Sequence, residues 1–173
     1  ELFDVHAMKF EDYVELDSST IGLSAVFAAA VTIATMAISI PIGFGFLNFG
    51  EIVIYTAAFL FGGTVGGLAG GVGAGAADVL LGYPMWAPIT LVGKGLEGFI
   101  VGHLAGKSLR SKAIAVAIGA PFMIAAYVLT TAVLYGIPAA GPELAADVLQ
   151  AGLGFAIAVP LSKLLEDRLP ELR

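Results

Sequence analysis

Residues 48–102, NFGEIVIYTAAFLFGGTVGGLAGGVGAGAADVLLGYPMWAPITLVGKGLEGFIVG, combine three properties that few folds accommodate at once. The stretch is apolar over most of its length, dense in glycine, and interrupted by four charged side chains, Glu51, Asp78, Lys94 and Glu97. Two glycine ridges recur every fourth residue: Gly62, Gly66 and Gly70 form one, and Gly63, Gly67, Gly71 and Gly75 the other. In water such a helix would be poor, because each glycine costs roughly 1 kcal/mol against alanine. In lipid the same spacing clears one helix face and lets a neighbouring backbone approach closely. A phosphate-cradling glycine loop would need a following Lys-Ser/Thr pair, which is absent. Charges at membrane depth are expensive and mark binding sites or pathways.

Composition agrees with a lipid-embedded chain. Of 173 residues, 58% are hydrophobic and 13% charged, against about 25% charged in a soluble domain. There is no cysteine, so disulfides, thiolate metal sites and a cysteine nucleophile are excluded. The net charge of -6 comes largely from the first seventeen residues, where Glu1, Asp4, Glu11, Asp12, Glu15 and Asp17 face a single Lys9. That segment lacks the basic start and apolar core of a signal peptide. Residues 1–20 are expected to form an acidic cytoplasmic segment, a solvated tail or a partner-docking arm; residues 21–168 form one membrane domain and 169–173 a cytoplasmic tail. No basic patch suits nucleic acid.

The expected architecture is an all-α membrane protein with six transmembrane helices. They cover residues 21–40, 51–61, 64–81, 89–106, 113–135 and 143–165, with Gly62-Gly63 as a tight return. At 1.5 Å per residue, twenty residues span roughly 30 Å, one hydrocarbon core. Ser18, Ser19 and Thr20 offer capping hydroxyls to the first helix, and Pro121 and Pro160 fall inside helices as expected kinks. The connecting loops are 41–50, 82–88 and 136–142. None of these three contains Lys or Arg, whereas Lys9, Lys107, Arg110, Lys112, Lys163, Arg168 and Arg173 all fall on the other side. The positive-inside rule therefore puts both termini in the cytoplasm.

With that orientation Glu51, Asp78, Lys94 and Glu97 lie in the outer half, together with Asn48, the loop aromatics Tyr83 and Trp86, Tyr127 and Thr131 of the fifth helix, and Gln150 of the sixth. The inner half carries small and apolar residues, with His103 near the basic turn. Each polar residue has a plain structural alternative. Lys94 and Glu97, one turn apart, make an internal ion pair; Asp78 caps an amide; Glu51 is a helix-start acid; Tyr83 and Trp86 join an interfacial aromatic belt. Their convergence on one side favours an outward pocket with aromatic walls, suited to a small, planar, polar molecule. No metal cluster or ATP-binding motif is present, and the two histidines are far apart in sequence. A membrane enzyme would have to rest on Asp78, Lys94 and Glu97 alone; a stand-alone ion-coupled carrier would use the same charges as a relay.

The runs NFGEIVIYTAAFLFGG, GGVGAGAADVLLGYP and APITLVGKGLEGFIVG resemble the substrate-binding S components of energy-coupling factor (ECF) vitamin transporters, in the branch that takes up riboflavin, pyridoxine or the thiamine pyrimidine precursor. The resemblance covers roughly residues 20–168. It implies a six-helix membrane fold, a site near the outer face closed by the loop after the first helix, and no catalysis or cofactor of its own. It also implies partners: a transmembrane coupling protein and two cytoplasmic ATPases that hydrolyse the ATP. Family members meet the coupling protein through small residues of the first helix, matched here by Ala25, Ala29, Ala30 and Ala34. The contacts expected for the bound molecule, read from the convergence of polar and aromatic residues on the outer half, are Asn48, Glu51, Asp78, Tyr83, Trp86, Lys94, Glu97 and Tyr127.

Overall fold

The computed structural model describes residues 16–42 and 45–168. Residues 1–15 of the acidic segment, Gly43 and Phe44 of the first loop and the 169–173 tail lie outside the described residues. The elements are α1 (Ser18–Ala37), β1 (Ser39–Ile42), β2 (Gly45–Asn48), α2 (Gly50–Leu80), α3 (Ala87–Leu104), α4 (Leu109–Tyr135) and α5 (Ile137–Arg168). Four of the five helices, α1, α2, α4 and α5, are long and apolar enough to cross a membrane. The exposed side chains include many large aliphatics, with Val133 and Ile137 more than four-fifths bare, whereas Glu51, Lys94 and Glu97 are at most 3% exposed. This inversion of the soluble pattern is what a lipid solvent selects.

Asp17, rather than the expected hydroxyls, caps α1, its carboxylate accepting the Thr20 N–H at 2.8 Å. That hydrogen bond holds the Asp17 carboxyl below its ordinary pKa. Helix α1 ends at Ala37, three residues before the expected end at 40, and the strands Ser39–Ile42 and Gly45–Asn48, the first reaching back from the expected 41–50 loop into that helix, pair antiparallel as a hairpin with Ser39 opposite Asn48 and Ile42 opposite Gly45. Pairing satisfies backbone groups that an apolar, uncharged loop would otherwise leave bare. The two helices expected at 51–61 and 64–81 are joined in one element, α2, whose single non-helical residue is Gly62 (φ +83°). A Cβ on Gly66 would lie 2.7 Å from that of Ala58, and one on Gly70 3.2 Å from Ile54 Cγ2. The two arms of α2 therefore fold back on each other about Gly62, whose positive φ glycine tolerates at no steric cost.

Helix α2 ends at Gly82 (φ +88°): Tyr83 N–H reaches Asp78 O at 2.8 Å and Gly82 N–H reaches Val79 O at 3.2 Å. These two bonds make a Schellman cap, which satisfies the last carbonyls of the helix. The chain enters α3 with Pro88 in the first turn, where a missing N–H does no harm. Helix α5 starts six residues earlier than expected, at Ile137, so Pro138 and Pro142, read as loop formers, sit within it.

The glycine ridges pack as their spacing predicts. A Cβ on Gly66, Gly67, Gly70 or Gly71 would stand 2.6–3.0 Å from the carbonyl oxygen of Gly98, Gly95, Lys94 or Leu91 of α3. On another face of α2, Gly73 meets α1, and Thr32 Oγ1 donates to Gly73 O at 2.8 Å. Ser24, Val31 and Thr35 form the buried face of α1. Ala25 and Ala29 are exposed and Ala30 and Ala34 half-buried, so the expected docking residues are not consumed by the fold.

Candidate functional site

Helix α3 shows how the sequence builds the site. Thr90, Gly93, Lys94, Glu97, Gly98 and Val101 are buried and recur at three- and four-residue spacing, so they share one face, while Leu91, Val92 and Leu96 are exposed. A helix with this pattern buries its charges against its neighbours and offers its aliphatic side chains to lipid. Lys94 makes its ion pair with Glu51, at the start of α2, rather than with Glu97 as the one-turn spacing suggested. Glu97 instead accepts the Tyr55 hydroxyl at 2.6 Å, while remaining within electrostatic reach of Lys94. The geometric reason is that α2 packs on the buried face of α3. Gly154 of α5 makes the room for Glu51, since a Cβ there would meet Glu51 Cβ at 2.6 Å.

Beside this pair lies a cavity of about 40 Å³ lined by residues of every helix and of the hairpin. Asn48, Asp78, Tyr83, Trp86, Lys94 and Tyr127 are among its walls; Glu51 and Glu97 stand behind Lys94 and do not line it. Six of the eight expected contact residues thus converge on one space. Trp86 is buried, with ring centroids 5.9 Å from Tyr127 and 6.2 Å from Tyr135. Tyr127 donates to Thr90 Oγ1 at 2.7 Å, and Lys94 Nζ lies 5.5 Å from the centre of the Tyr127 ring. The Schellman cap holds Asp78 and Tyr83 together at this end of α2.

The expected set omits Thr35, Ala74, Thr90, Glu143, Asp147 and Gln150, which also line the cavity. Gln150 was recognised as an outer-half polar residue; Glu143 and Asp147 were not. Their signal is the spacing: 143, 147 and 150 lie at i, i+4 and i+7, one stripe of an otherwise apolar helix. Gln150 also ties the hairpin down, accepting Asn48 N–H at 2.9 Å and donating to Glu51 at 3.4 Å. Asn48 Oδ1 in turn accepts Gly50 N–H at 2.9 Å and Thr35 Oγ1–H at 3.4 Å. The bond to Gly50 is an Asx turn leading into α2. Among the described residues no group of three or more His, Cys, Asp or Glu is arranged to hold a metal.

A helical chain that turns its aliphatic residues outward and gathers its charges around a hairpin-covered cavity is a multi-pass membrane protein with a polar interior site. Comparison with known families sharpens that class. Residues 15–167 match the family described as ECF-type riboflavin transporter, S component, and the chain belongs to that family. It is thus a subunit of a vitamin or vitamin-precursor transporter, a transport role rather than a catalytic one. Among similar proteins, one from Pyrococcus woesei, described as an uncharacterised protein in the gap 3′ region, is 44% identical over 144 residues, 81% of this chain and 97% of that protein. The thiamine precursor transporter HmpT of Lactococcus lactis subsp. cremoris (strain MG1363) is 28% identical over 116 residues, 67% of each chain.

Proposed function

We propose that this chain is the high-affinity binding subunit of an ATP-driven importer, capturing a small heterocyclic vitamin or precursor from outside the cell. Riboflavin, pyridoxine and the thiamine pyrimidine are the candidate cargoes. The observation that carries the reading is the cavity: α1, β2, α2, α3, α4 and α5 all send polar or aromatic side chains to one small space in a chain that is otherwise apolar. Trp86 and Tyr83 provide stacking surfaces; Asn48, Asp78, Lys94 and Tyr127 supply polar contacts, and Glu51 and Glu97 set the charge and position of Lys94. Gln150 of α5 accepts the Asn48 N–H and so ties the hairpin down beside the cavity; on this reading a heterocycle enters as the hairpin lifts and that bond breaks.

Counted as two arms, α2 brings the number of spans to six over residues 21–168, with both termini in the cytoplasm. The first arm, residues 50–61, is about 18 Å long at 1.5 Å per residue, and so reaches from the hairpin only part of the way through the bilayer. Two features support the orientation. Gly62 and Gly63 meet Gly102 and His103 at the α3 end next to the basic turn, and Lys112 Nζ lies 4.9 Å from the centre of the Phe59 ring. The exposed stripe of Ala25 and Ala29, flanked by Ala30 and Ala34, is the surface for the transmembrane coupling protein. Two cytoplasmic ATPase subunits consume the ATP, and this chain needs no cofactor.

The test is reconstitution. Purified protein alone should bind labelled ligand in detergent, whereas vesicles should accumulate it only when the coupling protein, the ATPases and ATP are present. Sustained uptake by the chain alone along an ion gradient would instead make it a stand-alone carrier.

A further inference from the structure

A second cavity, of about 310 Å³, opens at the other end of the bundle from the polar site, between the end of the first α2 arm, the turn after α3, the start of α4 and the end of α5. Lys107, Lys112 and Glu166 line it together with Phe59 and Leu60. Lys107 and Arg110 of the same basic turn are exposed, as residues that only set orientation should be. Lys112 is 6% exposed. Its ammonium donates one hydrogen bond, to Ser162 Oγ at 3.1 Å, and lies 4.9 Å from the centre of the Phe59 ring. Ser162 Oγ donates onward to Val159 O at 3.0 Å, so this hydroxyl is satisfied but brings no charge. Among the described residues no carboxylate lies within ion-pair distance of Lys112. Its place in the helix deepens the deficit. Lys112 is the fourth residue of α4, whose first turn contains no acid, and the positive end of a helix disfavours cations. A buried charge is ordinarily paired; this one has donors to spare and no counter-charge.

We propose that the missing counter-charge is a phosphate ester, the headgroup phosphate of a membrane phospholipid, held by Lys112 and Lys107. Two lysines against Glu166 leave one positive charge in the cavity, which a phosphodiester monoanion neutralises. Its oxygens accept from the remaining Lys112 donors and from Lys107 at the rim. Phe59 and Leu60, both half-buried, form an apolar wall for the glycerol and the first methylenes of a chain. The surroundings favour a lipid over a soluble anion as the source. Leu104, Leu109 and Leu164, on the helix ends that frame the cavity, are exposed, so acyl chains reach its edge. Lys112 already touches α2 through Phe59 and α5 through Ser162, so an anion bound to it fastens three helices at this end.

The experiment uses the full chain in detergent, with dihexanoylphosphatidylglycerol, dihexanoylphosphatidylcholine and inorganic phosphate as probes. Binding is read by native mass spectrometry and by the shift in thermal unfolding. The glycerol lipid should bind saturably and raise the melting temperature. The choline lipid, whose quaternary ammonium meets Lys107, and inorganic phosphate, which has no chain, should each bind about tenfold or more weakly. Lys112→Met removes a charge-assisted hydrogen bond and should weaken the glycerol lipid about tenfold or more. Arg110→Met makes the same charge change outside the cavity and should leave binding unaltered, while Glu166→Gln removes a competing carboxylate and should tighten it. Equal losses from Lys112→Met and Arg110→Met would reduce the site to diffuse attraction by a basic surface and overturn the inference. So would a protein that Glu166→Gln destabilises and that no probe stabilises, because Glu166 would then be the counter-charge. Inorganic phosphate binding as tightly as the glycerol lipid would keep the phosphate site and reject the lipid source. Should Lys112→Met fail to fold, the opposite responses expected of Arg110→Met and Glu166→Gln decide the matter.

Discussion

The two ends of the α2–α3 interface use the same residue types to opposite effect. Toward Gly62 the helices lie backbone to backbone: the Gly66, Gly67, Gly70 and Gly71 positions leave no room for even one extra carbon against α3 carbonyls. Toward Leu80 they splay. A Cβ at Gly75 would sit 3.4 Å from Ala87 O, an ordinary contact, and one turn further on Asp78 and Trp86 enclose the cavity. Tight docking at one end thus sets the separation at the other, and the space so opened is filled by charge instead of aliphatic packing. Lys94 belongs to both regions. Its carbonyl lies against Gly70, while its ammonium pairs with Glu51 beside the cavity. Rigid backbone contact positions a side chain that lipid would otherwise expel.

The sharpest way to break this contrast is at Lys94. Lys94→Met should leave Glu51 buried without its partner and destabilise the protein by about 3–5 kcal/mol. Adding Glu51→Gln should recover most of that loss, whereas adding Glu97→Gln should recover little. Thermal unfolding in detergent of the three variants checks this, and equal rescue by both partners would contradict the assigned pair. Next in size is the glycine seam. Gly98→Ala drives a methyl into the Gly66 carbonyl, and overpacking of this kind costs about 1–3 kcal/mol. Gly75→Ala, at the splayed end, should change stability by no more than about 0.5 kcal/mol. Similar melting temperatures for the two would mean the helices do not diverge. The smallest effect on the isolated protein is expected on α1. Ala29→Leu adds bulk to an exposed face, so folding and ligand affinity should stay unchanged while recovery of the coupling complex on pull-down falls; normal recovery would remove the stripe from the partner interface.

Much of this was legible in the sequence because lipid imposes simple rules. The Gly62 reversal, the four-residue glycine ridges and the gathering of Asn48, Asp78, Tyr83, Trp86, Lys94 and Tyr127 all follow from spacing and hydropathy. What escaped did so for identifiable reasons. The Lys94–Glu97 spacing is a local rule, and the stronger contact came from Glu51, forty-three residues earlier in the chain. Glu143 and Asp147 were hidden by Pro138 and Pro142. Both prolines suggested a loop at the water interface, which made nearby acids unremarkable, yet both are housed in α5. The hairpin at 39–48 was masked by Pro41 and its glycines, because short strands without alternating polarity leave no periodic signature.

The account stands or falls on whether the polar cavity is where the cargo sits, and Trp86 reports on that directly. It is the sole tryptophan, buried against Tyr127 and Tyr135 in the cavity wall. Titrating detergent-purified protein with the tightest-binding heterocycle should change its fluorescence in a saturable, one-to-one manner. Aromatic stacking is worth about 0.5–1.5 kcal/mol beyond the area buried, so Trp86→Ala should weaken binding roughly tenfold or more once the lost area is included. Tight binding that leaves the fluorescence unchanged, and that neither Trp86→Ala nor Tyr83→Ala weakens, would contradict the account.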